Sequence, residues 1–196
     1  LLEHLPIFIE NARKYLNKKG AYADVGIGPK GLSSCFFDLP GMRRIYGKEG
    51  HGADSYEGLA GQPMFLGQKS NAIFASMNMI LRWRYTYDKA YALKVYPYLS
   101  AVADFWEDYL EFEPFDQAAA NTKGRKGRYV SNDDAFGEVG PWDKKGWRNG
   151  YGDRNPITSL GFLRVFLQAM IEISDELNVD RNRQTTWKHI LANLSE

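Results

Sequence analysis

Leu99, Val102, Ala103, Trp106 and Leu110 recur at i, i+3, i+4, i+7 and i+11, which puts five apolar side chains on one stripe of an α-helix. The same period returns along the chain. Leu5, Phe8, Ile9, Ala12 and Leu16 share a face, and Gly20 follows as a stop signal. Ile73, Met77, Ile80 and Leu81 form the stripe of a helix from about Lys69 to Tyr87. Phe162, Phe166, Ala169, Ile173 and Leu177 stack in a helix that opens near Thr158 or Ser159, either of them a candidate N-cap. A last helix starts near Arg183 and buries Trp187, Ile190 and Leu191. A short helix from Asp88 to Tyr96 links the second to the one that follows Pro97. No set of alternating runs calls for a sheet, although "AYADVGIG" reads as a short extended piece. The predicted fold class is all-α.

Between these helices two stretches, Ala21 to Gln68 and Glu113 to Ile157, carry no clear period. Unstructured loops beyond about 12–15 residues are uncommon in compact domains unless they serve a function. These two hold Phe36, Phe37, Tyr46, Tyr56, Phe65, Trp142, Trp147 and Tyr151, a content that favours packing over disorder. Helical hairpins with long structured loops at one end describe a helical barrel whose loops build a pocket. The absence of an exact repeat argues against a regular solenoid.

Composition narrows the function classes. A net charge of +1 gives no electrostatic reason to expect nucleic acid or an anionic membrane as partner. The one basic cluster, Lys123 to Arg128, is glycine-spaced and reads as a solvated turn. Cys35 stands alone and reads as a buried thiol, and His4, His51 and His189 offer no pair at metal-ligand spacing, so no cofactor or metal is expected. No run of apolar residues approaches the roughly 20 of a membrane helix. The chain opens without Met on an amphipathic stretch and closes on another, so it reads as part of a longer chain, with the remainder of that chain as its partner. Aromatics at 14 % are compatible with stacking on sugar rings and equally with a bulky core.

The most unusual stretch is "YVSNDDAFGEVGPW", Tyr129 to Trp142, with Asp133, Asp134 and Glu138 between flanking aromatics. Asp133 and Asp134 are suited to Asx turns or to sugar hydroxyls. "NDDAFG" fails as an EF-hand loop because Phe136 stands where an oxygen ligand is needed. Trp142 and Trp147, in a glycine-rich polar setting, are candidate sugar platforms or loop anchors. Asp153 and Arg154 read as a local ion pair. Gln68 and Asn71 enter the second helix from a loop and are candidate sugar contacts.

"LRWRYTYDKAYALKVYPYLSAVADFWEDYL", Leu81 to Leu110, resembles a segment shared by six-hairpin glycosidases. There a helix ends in Tyr-Thr-x-Asp, Tyr-Pro-x-Leu opens the next, and a Phe-Trp/Phe-x-x-x-Leu pattern ends it. "GRYVSNDDAFGE", a loop and "NPITSLGFLRVFLQAMIEISDELNVD" follow in the same order. The chain most resembles glycoside hydrolase family 95, the α-L-fucosidase type, from Lys69 to Leu194.

The resemblance implies an (α/α) six-hairpin toroid of which about half is present. It also implies inverting hydrolysis of a glycosidic bond in a plant or host glycan, and an extracellular or periplasmic setting. It makes Glu138 the general acid, with Asp134 the runner-up, and leaves the base to another part of the barrel. Phe136-Gly137 replaces the family's Ser-Pro before that glutamate. Two other readings stay open on this evidence: a barrel that binds carbohydrate without hydrolysing it, and a helical scaffold for a protein partner.

Overall fold

The computed structural model describes residues 70–115, 124–131 and 154–195, together with Pro6. They form four helices and one hairpin: α1 (Asn71–Thr86), α2 (Lys89–Tyr109), β1 (Glu111–Pro114), β2 (Gly127–Val130), α3 (Ile157–Leu177) and α4 (Gln184–Asn193). The predicted N-terminal helix, Cys35, His4 and His51 lie outside the described residues.

A two-residue turn reverses the chain between α1 and α2. Tyr87 takes a left-handed conformation (φ 50°) and returns its N–H to the Trp83 carbonyl at 2.7 Å. Asp88 then caps α2, its Oδ1 accepting from the N–H groups of Ala90 and Tyr91 at 2.9 and 3.1 Å. At the far end of α3 the left-handed residue is Asn178 (φ 54°), whose N–H returns to Ser174 and Asp175. Both stops occur at residues that close the final carbonyls without glycine.

The helices alternate in direction. Tyr98 of α2 reaches back to Ala72 at the start of α1. α1 and α3 run the same way, because Phe74 meets Phe162 (ring centroids 5.5 Å apart) and Arg84 meets Glu172, ten residues further along each helix. α4 returns along α3, from Gln184 beside Asp175 to Ser195 beside Arg164. One layer therefore holds α1 and α3 in parallel, and α2 and α4 run against them.

The core fills the space between the layers. Ile73, Ile80 and Trp83 of α1, Leu99, Val102 and Trp106 of α2, and Leu163, Phe166, Met170 and Ile173 of α3 are all buried, with Trp187 and Ile190 of α4. The stripe predicted for α2 holds at every position. On α1 the face is rotated: Ala72, Ser76 and Met79 are buried, Met77 is half-buried, and Leu81 is exposed. Phe74, Leu81 and Tyr85 form a second apolar stripe on the outer side of α1, at 61, 49 and 84 % exposure.

Three expectations are corrected. The linker helix ending at Tyr96 and the helix after Pro97 are one helix, α2. Pro97 leaves a carbonyl of the preceding turn without its N–H partner. The buried positions nevertheless continue in helical register from Tyr91 and Ala92 through Val95, Leu99, Val102 and Trp106, so packing on both sides carries the helix across.

α3 opens at Ile157 with Pro156 at the cap position, ahead of Thr158 and Ser159. The second half of the basic cluster is strand: Gly127 and Arg128 pair with Pro114 and Glu113 of β1. A side chain at Gly127 would run into the Glu113 carbonyl oxygen of the paired strand, as well as the Phe112 ring, so the hairpin needs a glycine there. The hairpin is the one sheet among the described residues.

α3 is long and apolar enough to cross a membrane by length and composition. Half of that window is buried in the core, and packing against three other helices accounts for its apolar character.

Candidate active site

The acidic stretch follows Ser131 in sequence, and the described chain resumes at Arg154 and Asn155. Glu138, Asp134, Asp133, Trp142 and Trp147 lie in between, outside the described residues, as does Gln68. Asn71 opens α1, and its side chain is likewise outside. What the structure does define is the chain on either side of that stretch.

The two flanks meet in a small polar clamp at the end of β2. The Asn155 N–H donates to the Ser131 carbonyl at 2.7 Å, and Asn155 Oδ1 accepts from the Ser131 N–H at 2.9 Å. Asn155 Nδ2 donates to Ser195 Oγ at 3.2 Å. One residue thus presents both an N–H and a carbonyl to Ser131, as a neighbouring strand would. It does so in a left-handed conformation (φ 52°), which asparagine tolerates better than most side chains.

Ser131 is fully buried, so its backbone groups require such partners. Alongside, the Ser195 N–H donates to the Tyr129 carbonyl at 3.0 Å, and Arg164 of α3 donates to the Ser195 carbonyl at 2.9 Å. β2 is therefore held on both edges, by β1 and by the chain after α4.

Arg154 adds a charged tie. Its guanidinium bonds Glu113 of β1, which also faces Arg128 of β2 at 3.6 Å. β1 thus brings Glu113 to Arg154 as a longer-range partner; the expected local pair with Asp153 falls on a residue outside the described ones.

On the hairpin surface Phe112, Tyr129 and His189 meet ring to ring, and the Tyr129 hydroxyl lies 3.0 Å from His189 Nδ1. Partial burial pushes the Tyr129 phenol above its ordinary pKa. This anchor immediately precedes the acidic stretch.

Because α1 and α3 are parallel neighbours, their N-termini lie at the same end of the layer. The segment carrying Gln68 and Asn71 runs into one of them, and the stretch carrying Glu138 runs into the other. The two groups of candidate residues are about 60 positions or more apart in sequence, and each lies at or ahead of one of these helix starts along the chain.

Among the described residues no group of three His, Cys, Asp or Glu is placed to hold a metal ion. Sequence reasoning passed over Asn155. The signal was the Asn-Pro pair ahead of a periodic segment, a turn-forming dipeptide just before a helix.

The chain matches the family model of the glycosyl hydrolase family 95 catalytic domain over residues 55–196. The match takes in all four helices, the hairpin and every candidate site residue. A comparison with individually curated proteins returns no match. A match over most of the chain establishes that the chain belongs to glycosyl hydrolase family 95.

Proposed function

We propose that the chain is part of the catalytic barrel of an inverting glycosidase in which Glu138 is the general acid. The match to a glycosyl hydrolase catalytic domain across the acidic stretch carries this reading. The parallel pairing of α1 and α3 against α2 and α4 supports a sector of a double-layered (α/α) toroid. The outer stripe of Phe74, Leu81 and Tyr85 is the kind of face that a further hairpin of such a toroid covers.

Inverting hydrolysis uses two carboxyl groups. The acid protonates the leaving glycosidic oxygen, while a base on the opposite face of the sugar deprotonates water, with ~6.5–9.5 Å between the two to admit that water. Glu138 takes the first role because Phe136 and Val139 are its chain neighbours and Asp133 and Asp134 are near in sequence. An apolar or like-charged setting keeps a carboxylic acid protonated near neutral pH. Trp142 and Trp147 supply faces for the sugar, and Asp133, Gln68 and Asn71 its hydroxyl partners. The base comes from elsewhere in the toroid. The substrate is an oligosaccharide or polysaccharide, with α-L-fucosides the first class to try.

The test is a panel of aryl glycosides on the full-length parent and its Glu138→Gln variant. Turnover of substrates with poor leaving groups falls at least ~10²-fold, the usual contribution of general acid catalysis, while good leaving groups suffer less. A variant that keeps near-full activity on poor leaving groups transfers the role to Asp134. A parent that binds glycans and hydrolyses none of the panel supports the rival reading, a binding barrel, for which Phe136-Gly137 in place of Ser-Pro is the observation in favour.

A further inference from the structure

We propose that Phe112, Tyr129 and His189 form a binding platform for a neutral sugar ring on the surface of the hairpin. That its ligand is a glycan rests on the reading of the chain as part of a glycosidase given above.

The platform starts from the register of two short strands. Phe112 of β1 lies directly opposite Tyr129 of β2, so both side chains stand on one face of the hairpin. Their rings meet edge to face, with centroids 5.1 Å apart. α4 brings His189 against the same pair, its ring 5.8 Å from Phe112 and 5.5 Å from Tyr129. Gly127 completes the setting: a Cβ there would fall 2.6 Å from the Phe112 ring, so the ring rests on bare backbone. Three neighbours thus hold the Phe112 ring while 41 % of the residue stays exposed. A ring fixed before its ligand arrives loses little freedom on binding.

Charge decides the class of ligand. Side chains alternate across a strand, so Glu111, Glu113 and Arg128 stand on the opposite face of the hairpin. There Glu113 faces Arg128 at 3.6 Å and binds Arg154. Lys188, beside His189 in sequence, is turned back to Gln184 at 3.1 Å. The ring-bearing face therefore takes no charge from either strand, and Pro114, also exposed, extends its apolar area.

The polar atoms at its rim are neutral. His189 Nδ1 is engaged by the Tyr129 hydroxyl at 3.0 Å, which leaves Nε2 for a ligand. Asn193, one turn further along α4, is steadied by the His189 carbonyl at 2.8 Å and offers its other amide atom.

A pyranose has the matching form. Its C–H groups make one face apolar, and its hydroxyls project from the edge. The electron-rich face of an aromatic ring attracts those C–H groups, and an imidazole nitrogen and an amide take the hydroxyls. A phosphate or a uronate needs a cation, and Arg128 and Arg154 are drawn to Glu113 on the other face.

The test is electrophoresis of the full-length parent through native gels that hold galactomannan or arabinogalactan, both neutral, or polygalacturonate, which is anionic. Wild type runs beside Phe112→Tyr, Phe112→Leu and His189→Ala. Leucine keeps an apolar side chain over Gly127 and removes the aromatic face, whereas tyrosine keeps that face. Equal migration of all four in gels without polysaccharide shows that the fold is intact. The expected result is that a neutral polysaccharide retards wild type and Phe112→Tyr alike, within about twofold in affinity. Binding weakens about three- to tenfold in Phe112→Leu and in His189→Ala.

Full binding by Phe112→Leu overturns the platform, as does a loss that Phe112→Tyr shares in full, which marks a packing role. A wild type that no neutral polysaccharide retards, or that polygalacturonate alone retards, overturns it too. A His189→Ala variant that binds as wild type does overturns the three-residue site. Wild-type turnover of an aryl glycoside, measured alongside, reports on the catalytic reading separately. An inactive parent whose binding falls in Phe112→Leu keeps the platform and loses the hydrolase. An active parent whose retardation ignores Phe112 keeps the hydrolase and loses the platform.

Discussion

Tyr98, in the middle of α2, donates its hydroxyl hydrogen to the carbonyl oxygen of Ala72 in the first turn of α1, at 2.9 Å. The same carbonyl accepts from Ser76 Oγ, also at 2.9 Å. Burial pushes the Tyr98 phenol well above its ordinary pKa, and burial together with the Asp180 carboxylate does the same for Tyr96.

A group whose pKa is raised on folding stabilises the fold fully below its unfolded value and loses that contribution as pH climbs toward the folded one. Urea unfolding midpoints are therefore expected to hold steady up to about pH 9 and to fall from about pH 10 upward, the ordinary tyrosine range. Tyr98→Phe lowers stability near neutral pH by about 1–2 kcal/mol through the lost bond and flattens the alkaline fall. An alkaline fall as steep in Tyr98→Phe and Tyr96→Phe as in wild type would contradict this origin.

Arg183 gathers the second half of the fold. Its guanidinium bonds Glu107 at 2.8 and 3.1 Å, Asp104 at 2.8 Å and Ser100 at 2.8 Å, with Asp180 at 3.4 Å, and only 17 % of the side chain is exposed. Burial works against its charge. The Glu107 bond and the charges of Glu107, Asp104 and Asp180 outweigh that and hold the guanidinium above its ordinary pKa. Arg183→Ala leaves three carboxylates around an empty centre, and the expected loss is about 2–4 kcal/mol in chemical denaturation. Arg183→Lys recovers little, because one ammonium cannot replace a planar fork. Full recovery by lysine would show that charge alone matters there.

Pro97 lies exposed on a helix that runs through it, so its ring contributes little packing while its missing N–H costs a backbone bond. Pro97→Ala is expected to stabilise the chain by about 1–3 kcal/mol, read as a higher melting temperature. A lower melting temperature would mean that the proline shapes the course of α2 to fit its neighbours.

The contrast between α1 and α2 explains what the sequence made legible. On α2 the stripe read from the sequence is a buried one: Leu99, Val102, Ala103, Trp106 and, at its C-cap, Leu110 are all buried. α1 carries two apolar stripes, and periodicity alone does not say which faces inward; Leu81 was assigned to the core and lies on the other side. The hairpin escaped because four-residue strands such as Gly127–Val130 are too short to show alternation. Pro97 suggested a break because a local rule was weighed without the register of the helix beyond it.

Glu138 and its neighbours were picked out by composition and family likeness. The clamp of Ser131, Asn155 and Ser195 left no periodic trace, since it joins residues 24 and 40 positions apart through a few hydrogen bonds.

Closure at Ser131 and Asn155 also divides the molecule into parts that can change separately. Once the ends of a segment are held together, doubling its length adds only about 0.6 kcal/mol of closure entropy. An insertion or exchange between those two residues therefore costs the described fold little beyond that term. Sequence variation between them can accumulate at nearly constant stability. The same two positions mark where a segment from another glycosidase can be grafted onto this framework.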